Sequence, residues 1–474
     1  MNVVHVASEC APWAATGGLA EVVAALPDAL LEVEGGVVSR CSVVIPGYKR
    51  AVDGLVAAGH QPERVGDLLH LHLDGRTVSF AAFVVAMPGA DLWLLTNIEL
   101  FDRDGLYGDD TGSYGDNALR FVAFCHAARS LILRGDLGSV DLVHCHDWHA
   151  AALPVLNKVV GGPPTVLTIH NLGYQGVFDR SWLSRIGLPM DLFTVDGLEF
   201  HGRLNLLKGG VQCCDALTTV SPKYAEEILT EKHGAHLDGV LRHHSGKLRG
   251  ILNGIGSNWD PQTDDALPAN YSADDLAGKA ACRDKLCAQL GLQPQNGELV
   301  FGIVSRLAWQ KGLDLVADIA PGLASRGVLA VVGSGDPTLE QRFRQLQQRL
   351  PGRVGIYVGY SPPMARLLFA GSDALLMPSR YEPCGLAQLQ AMRYGALPIV
   401  HATGGLADSV AHGHTGFAFE VCDGAGLSWG CTEALAAHAE PDRWAWMQQN
   451  AMRADFTWRR SAGQHVQIYS RLVG

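Results

Sequence analysis

The chain has 474 residues, 47% of them hydrophobic and 18% charged, and carries a formal net charge of −11 at pH 7. This length is too great for one ordinary hydrophobic core, so two or three domains are expected. The negative charge argues against a nucleic-acid partner. No apolar run approaches the roughly 18 residues of a membrane span, so no membrane partner is expected either.

The cysteines and the N-terminal segment indicate the compartment. Eleven cysteines are scattered without a short regular framework, and the adjacent pair Cys213 and Cys214 is unsuited to a disulfide. We therefore expect reduced thiols in a cytoplasmic protein. Residues 1–6 have no basic region ahead of their apolar run, which predicts a first strand rather than a signal peptide.

Short β-branched runs alternate with helical patterns along the chain, which is typical of parallel α/β units. In the first half, strands are predicted at residues 3–7, 41–45, 78–85, 92–95, 142–145, 165–169 and 216–220. Helices are predicted at residues 20–31, 117–133 and 204–213. A linker rich in Gly, Asp and Pro is predicted at residues 254–268. A second series of strands follows at residues 299–304, 328–332, 354–358, 374–377 and 398–400.

This pattern predicts two Rossmann-like domains of similar size that face a central cleft. We place the first domain at residues 1–255 and the second at residues 256–456. Ligands are expected at the carboxyl ends of the parallel strands, because doubly wound sheets bind their ligands there. Six of these strand ends carry polar or glycine-rich segments.

A glycine pair, Gly17 and Gly18, stands between the first predicted strand and the first predicted helix. Glycines at such a turn let the backbone approach a phosphate closely, and the N–H groups of the first helical turn point at it. The alternative for this pair alone is a merely flexible turn.

Three histidines, a cysteine and an aspartate lie within six residues at the end of the fifth predicted strand, residues 144–149. Alternation along the strand would point His144 and His146 to one side, which is compatible with a metal site. Trp148 and the Ala-rich helix after it favour packing and sugar stacking instead. We expect no metal here, and we expect Asp147 to hydrogen-bond a ligand hydroxyl.

The next strand ends in the same way, with His170 and Asn171 ahead of a loop bounded by glycines. A lone histidine at this position could merely cap a turn. Because polar and aromatic residues cluster here at a second neighbouring strand end, contact with a ligand is favoured.

Two cations follow the first strand of the second series. Arg306 and Lys311 lie five residues apart across a predicted strand-to-helix turn. Such a pair can converge on a diphosphate, the arginine through its planar fork and the lysine as a point charge. The alternative is a pair of solvated surface cations.

Residues 379–388 place one carboxylate, Glu382, beside a proline, a small thiol and a glycine. A helix is predicted at residues 386–394, and its start should offer free N–H groups and a partial positive charge. A phosphate or a sugar suits such a site, with Glu382 holding sugar hydroxyls. Gly404 and Gly405 form a second glycine pair between a strand and a helix, which predicts a second anion-binding turn.

Together these segments resemble bacterial glycogen synthase and plant starch synthase, glycosyltransferase family five. The resemblance runs from Val3 to the C-terminus and is carried by seven motifs in the same order. They are Thr16-Gly17-Gly18-Leu19, His146-Asp147-Trp148-His149, His170-Asn171-Leu172, Val304-Ser305-Arg306, Gln310-Lys311-Gly312, Glu382-Pro383-Cys384-Gly385-Leu386 and Thr403-Gly404-Gly405-Leu406.

The resemblance implies a GT-B fold and an activity. Glucose would pass from ADP-glucose to the non-reducing end of an α-1,4-glucan, glycogen or a malto-oligosaccharide, with retention of configuration and without a metal or other cofactor. It also implies that residues 457–474 form a helix that packs back on the first domain.

The same resemblance implies roles for individual residues. The catalytic residues would be His170, Arg306, Lys311 and Glu382. The donor would be bound by Gly17, Gly18, Glu21, Asp147, Asn253, Tyr360, Cys384, Gly385, Leu386, Thr403, Gly404 and Gly405, with Tyr360 against the adenine. Glu9 and Trp148 would lie on the acceptor side.

Three positions depart from the family pattern. Ala15 stands where the family usually has Lys, Glu21 where bacterial members often have Asp, and Gly256 where the family commonly has Asp. The lost lysine bears on donor affinity, turnover and donor choice, because it removes one positive charge from a site for two phosphates.

Two alternative functions stay open. A retaining GT-B glucosyltransferase could use another nucleotide sugar such as UDP-glucose. Many such enzymes carry a second glutamate at the position of Gln390, which disfavours them here. A catalytically weak glucan-binding protein is the other alternative, with Ala15 as its sign. The four retained catalytic candidates argue against it.

Overall fold

The computed structural model describes residues 1–359 and 361–474. The chain divides into two compact units, the first made of residues 1–251 and 458–474, the second of residues 252–457. Across these described ranges, no helix combines the length and the apolar character that a membrane span requires. All eleven cysteines lie within the described residues and are free thiols.

The first unit contains fourteen strands and, before residue 252, nine α-helices. The strands are β1 (Asn2–Val6), β2 (Arg40–Pro46), β3 (Glu63–Leu73), β4 (Arg76–Val85), β5 (Asp91–Thr96), β6 (Gly108–Asp109), β7 (Gly112–Ser113), β8 (Leu142–His146), β9 (Thr165–Ile169), β10 (Val177–Phe178), β11 (Glu199–Phe200), β12 (Arg203–Asn205), β13 (Ala216–Thr219) and β14 (Leu248–Gly250). The helices are α1 (Gly18–Leu31), α2 (Lys49–Ala57), α3 (Ile98–Phe101), α4 (Asn117–Arg134), α5 (Asp147–Ala150), α6 (Ala152–Val160), α7 (Leu206–Cys213), α8 (Pro222–Glu227) and α9 (Asp238–His243). Short 3₁₀ turns lie at Arg180–Trp182, Met190–Leu192 and Ser245–Lys247.

Nine of these strands form the main sheet, in the order β14-β13-β9-β8-β1-β2-β5-β4-β3. Neighbouring strands from β14 to β5 are parallel, and β4 and β3 continue the sheet antiparallel. The central strands β1, β8 and β9 are buried along their whole length. Because they are parallel, their carboxyl ends lie side by side at one edge of the sheet.

The second unit is a six-stranded parallel sheet in the order β17-β16-β15-β18-β19-β20. Its strands are β15 (Leu299–Val304), β16 (Gly327–Gly333), β17 (Val354–Val358), β18 (Ala374–Met377), β19 (Leu397–His401) and β20 (Phe417–Phe419). Its helices are α10 (Ala277–Leu290), α11 (Leu313–Leu323), α12 (Pro337–Arg349), α13 (Pro362–Gly371), α14 (Ala387–Arg393), α15 (Gly404–Ser409), α16 (Gly424–His438) and α17 (Pro441–Arg453), with a 3₁₀ turn at Trp309–Lys311. This strand order is that of a Rossmann-like sheet.

The last helix, α18 (Trp458–Val473), belongs to the first unit and packs against α1. Its buried face includes Trp458, His465 and Tyr469. The Tyr469 hydroxyl lies 2.7 Å from Nδ1 of His144 on β8, so this helix reaches the centre of the first sheet.

The α/β fold class is confirmed. The strands of the two main sheets that the sequence did not predict, β3, β14 and β20, carry no clear apolar pattern, for two different reasons. β3 is exposed at most of its positions and therefore lacks the apolar run that predicts a strand. β14 and β20 have only three residues each, which is too short for any periodicity.

Candidate active site

The glycine loop of the first unit, residues 15–18, leads into α1 with its backbone exposed. Gly17 is the N-cap residue in an extended conformation, and no side chain hydrogen-bonds to the helix start. No described atom lies within 4 Å of the position that a Cβ on Gly17 would take. The N–H groups at the start of this 14-residue helix therefore suit an anion, and anion binding here stays a prediction.

Glu9 holds this loop in place. Its carboxylate accepts hydrogen bonds from the Thr16 N–H at 2.7 Å, the Thr16 hydroxyl at 2.6 Å and the Tyr107 hydroxyl at 2.6 Å. Glu9 is buried, so the structure gives it a supporting contact where we predicted an acceptor contact. Tyr107 was not predicted, since it lies 98 residues away in a segment without a motif.

Asp147 begins α5 with a backbone that is unusual for its residue type. Its φ of +55° lies in the left-handed region, which costs about 1–3 kcal/mol for a residue other than glycine. Its buried carboxylate accepts a hydrogen bond of 2.7 Å from the backbone N–H of His170, and burial raises its pKa to about 7. Asp147 thus ties the end of β8 to the end of β9.

His170 follows β9 and is nine-tenths buried. Burial lowers its pKa to about 3, so its ring is neutral at neutral pH. Its Nε2 lies 2.9 Å from Nδ1 of His146, and Nε2 of His146 lies 3.1 Å from Nδ1 of His5 on β1. Three neighbouring strand ends therefore supply one row of imidazoles.

Of the three histidines predicted as a possible metal group, His144 and His146 stay together and His149 lies apart from them. His149 packs against Tyr107 and Phe121, with ring centroids 4.6 and 4.7 Å away. The group that brings ring nitrogens within 4.8 Å of one another is instead His5, His144 and His146.

Trp148 lies mainly in the protein interior. Its ring packs edge-on against Phe121 at 5.1 Å, and only 8% of the residue is exposed. Gly176 approaches the ring so closely that a Cβ there would overlap it. This placement assigns most of the ring to packing, and contact with an acceptor sugar stays a prediction.

In the second unit, Lys311 and Glu382 form an ion pair of 2.6 Å. The same carboxylate oxygen accepts a hydrogen bond of 2.9 Å from the Ser379 hydroxyl. The Glu382 side chain is only 7% exposed and that of Lys311 18%. The sequence predicted both residues as ligand contacts and did not predict that they contact each other.

Arg306 lies in the loop after β15 and is exposed. Its carbonyl oxygen accepts a hydrogen bond from the Ser305 hydroxyl at 3.1 Å, and its guanidinium has no hydrogen bond or ion pair within residues 1–359 and 361–474. An arginine without a protein partner beside a strand end can bind a phosphate. Whether Arg306 and Lys311 converge on one diphosphate stays a prediction.

The second glycine pair differs from the first, because it is buried. The N–H of Gly405 donates to the carbonyl oxygen of Glu382 at 3.1 Å. A Cβ on Gly404 would overlap the Glu382 carbonyl, and a Cβ on Gly405 would overlap the Cys384 carbonyl. Gly405 was predicted to offer its N–H to an anion. In the structure that N–H is already used, because it holds the Glu382 loop against α15.

Gly405→Ala should therefore destabilise the second unit by about 1–3 kcal/mol, because the added methyl group pushes the Glu382 loop away. Gly17→Ala is the matched control: its extended backbone accepts alanine and its Cβ position is open. Thermal unfolding of both variants checks this. Equal melting temperatures would contradict the packing role.

The remaining donor candidates of the second unit surround Cys384. Burial raises the pKa of its thiol to about 12, and Asn253 hydrogen-bonds to the sulfur through its backbone and its side chain. Gly385 has a φ of +72° and precedes Leu386, which is half-buried just before α14. A protonated, enclosed thiol is a poor nucleophile, and a donor contact of Cys384 stays a prediction.

Three other candidates complete the set. Glu21 lies exposed in the first turn of α1, and Thr403 is buried as the N-cap residue of α15. Tyr360, predicted against the adenine, lies outside the described residues.

The fold and these residues define a glycosyltransferase of the GT-B class. Residues 2–243 match the family described as starch synthase catalytic domain, and residues 291–450 match glycosyl transferases group 1. The chain belongs to the glycogen and starch synthase family, as the sequence motifs predicted.

Relatives support this assignment over the whole length. Glycogen synthase 1 of Rhizobium meliloti is 42% identical, with 100% of this chain and 99% of the relative aligned. A glycogen synthase of Thioalkalivibrio sulfidiphilus is also 42% identical, with both chains fully aligned. The catalytic domain of Starch Synthase IV from Arabidopsis thaliana, solved bound to ADP and acarbose, is 30% identical and superimposes with a TM-score of 0.88 over 99% of each chain.

Proposed function

We propose that this protein is a glycogen synthase that transfers glucose from ADP-glucose to the non-reducing end of an α-1,4-glucan with retention of configuration. The observation that carries the proposal is the full-length similarity to glycogen synthases. The plant starch synthase that shares the fold was solved with ADP and acarbose, a nucleotide and a carbohydrate.

The charges of the site suit the departure of a nucleoside diphosphate. Breaking the bond between sugar and phosphate leaves negative charge on the diphosphate, which preorganised donors stabilise strongly when water is excluded. In the second unit we assign this role to Arg306 and Lys311. In the first unit the N–H groups at the start of α1 also suit an anion.

Glu382 is the carboxylate of the proposed site that suits the sugar. Its pairing with Lys311 and Ser379 fixes its orientation before any substrate binds. We assign it to the glucose hydroxyls, with the acceptor hydroxyl attacking from the side that the diphosphate leaves. The departing phosphate would take the proton of that hydroxyl, which gives retention without a protein nucleophile.

The test is the incorporation of labelled glucose into glycogen from ADP-glucose and from UDP-glucose, measured side by side. We expect ADP-glucose to be the better donor. A clear preference for UDP-glucose would support the other nucleotide-sugar enzyme. Tight glycogen binding without transfer from either donor would support the catalytically weak binding protein.

Ala15→Lys should tighten ADP-glucose binding or raise turnover. Ala15 directly precedes Thr16 in the glycine loop, so a lysine there adds positive charge beside the proposed phosphate contact. One added charge-assisted contact contributes about 1.5–3 kcal/mol at most. The gain in kcat/KM should shrink as salt is added, because exposed charges are screened.

Ala15→Met is the matched control, since it adds length without charge. Equal gains in the methionine and lysine variants would assign the effect to packing. A wild type that prefers UDP-glucose, with Ala15→Lys switching it to ADP-glucose, would show that Ala15 sets donor choice.

A further inference from the structure

Three imidazoles form one continuous hydrogen-bonded chain that ends at His170. His5 Nδ1 lies 3.1 Å from His146 Nε2, and His146 Nδ1 lies 2.9 Å from His170 Nε2. His5 and His146 are fully buried, and His170 is nine-tenths buried. The inner end of this row of rings is therefore in the core, and its outer end is His170, which the family resemblance predicts to be catalytic.

Neutral imidazoles make this chain directional. Burial lowers the pKa of His5 and His170 to about 3 and holds that of His146 well below its ordinary value. Each neutral ring carries one N–H and one bare nitrogen. Both hydrogen bonds can form only if all three rings use the same tautomer, so the proton position on His5 dictates that on His170.

The surroundings of His5, at the inner end of this row of hydrogen-bonded rings, favour one of the two possible tautomers. His5 Nε2 is buried without a hydrogen-bond partner among the described residues. If the rings carried their protons on Nε2, an N–H would be buried there unpaired, which proteins rarely tolerate. With the protons on Nδ1, the unpaired atom is a bare nitrogen, and both hydrogen bonds are kept.

We propose that His5 and His146 are positioning residues that hold His170 as its Nδ1–H tautomer. His170 then presents an N–H donor to an oxygen of the sugar at the reacting centre. No described residue accepts from or donates to His170 Nδ1, which leaves that nitrogen for a ligand. This inference rests on the proposed function, because the sugar that His170 would contact is the glucose of the proposed reaction.

A metal ion at His5, His144 and His146 would compete with hydrogen bonds that these rings already make. Both ring nitrogens of His146 face a neighbouring imidazole, so a metal bound to either nitrogen would break one hydrogen bond of the row. His144, the third member of that group, has its two ring nitrogens 2.7 and 2.6 Å from the hydroxyls of Tyr469 and Thr168. Hydrogen bonding thus already accounts for His144.

The first test is nitrogen NMR on the full-length protein with ¹⁵N-labelled histidine, because the chemical shifts of ring nitrogens separate protonated from bare ones. Removal of one histidine at a time assigns the signals. We expect His5, His146 and His170 each to carry the proton on Nδ1. A proton on Nε2 of His170, or stoichiometric zinc in the purified protein, would overturn the proposal.

The second test reverses the direction of the hydrogen bonds between the rings, using two variants of nearly the same shape at His5. In His5→Asp a carboxylate near the position of Nδ1 can only accept, so His146 must donate to it from Nε2 and His170 must then donate from its own Nε2. In His5→Asn the amide can still donate to His146. Both variants remove the same ring and have nearly the same shape. They differ in the direction of the hydrogen bond and in the charge of the carboxylate, and the tautomer measured by NMR reports the direction.

We expect His5→Asp at pH 8 to move the His170 proton to Nε2 and to lower kcat by about 10-fold or more, since one donor to the reacting sugar is lost. His5→Asn should keep the Nδ1 proton and most of the activity. A reversed tautomer with unchanged kcat would overturn the proposal, as would an unreversed tautomer in a folded His5→Asp.

The two hypotheses fail in different ways. The tautomer is measured without substrate, so an absence of glucose transfer in the wild type would contradict the proposed function and leave the NMR result standing. If His5→Asp does not fold, the wild-type spectrum still decides the tautomer.

Discussion

Lys311→Ala should lower turnover by about 10²-fold or more, if Lys311 stabilises the departing diphosphate. It also leaves the buried Glu382 carboxylate without its cation, which is costly for the fold. These two causes predict the same loss in a single variant. Steady-state kinetics on a variant shown to be folded measures it, and near-normal turnover would remove Lys311 from the mechanism.

A double-mutant cycle separates the two causes. Glu382→Gln removes the negative charge and keeps the shape, so Lys311→Met with Glu382→Gln has no unpaired buried charge. If Lys311 acts on the diphosphate, ADP affinity stays low in the double variant although its stability recovers. If the loss reflects only the unpaired carboxylate, stability and ADP affinity recover together. Turnover is not the readout here, because Glu382→Gln itself removes a proposed sugar contact. ADP affinity should fall with Lys311→Met and persist in Glu382→Gln.

The stability of the first unit should fall steeply as the pH drops below about 6.5. Burial lowers the pKa of its six buried histidines, so they are neutral when folded and take up protons when unfolded. They are His5, His144, His146, His149, His170 and His465. Stability from each is complete above its unfolded pKa and is lost as the pH falls toward its folded value, at up to about 1.4 kcal/mol per pH unit.

Asp147 changes the stability with pH in the opposite sense, and it is one group against six histidines. Its folded pKa of about 7 is above its unfolded value of 3.8, so its contribution is present at low pH and is lost as the pH rises toward 7. One carboxyl offsets about one histidine. Urea unfolding at intervals of about one pH unit between about pH 4.5 and about pH 7.5 checks the net slope. His465→Gln should flatten the slope, and a flat profile in the wild type would contradict the buried neutral rings.

The sequence predicts well what is local along the chain. Buried parallel strands such as β8 and β9 are continuous apolar runs, and the motifs after them carry the polar residues of the site. The contacts between motifs are less predictable. Lys311 and Glu382 are 71 residues apart, and His5 and His146 are 141 apart. His5 meets His146 because β1 lies beside β8, and Lys311 meets Glu382 because β15 lies beside β18. The order of strands in a sheet cannot be derived from the spacing of motifs along the sequence.

The C-terminal helix gives the chain a particular order of assembly during synthesis. α18 lies in the first unit, and Tyr469 reaches His144 across 325 residues of sequence. A ribosome that has translated only the first 251 residues has therefore released a sheet whose α1 face still lacks its covering helix. Because the second unit is translated in between, it can fold to completion first. The half of the protein that is made first is the half that is finished last.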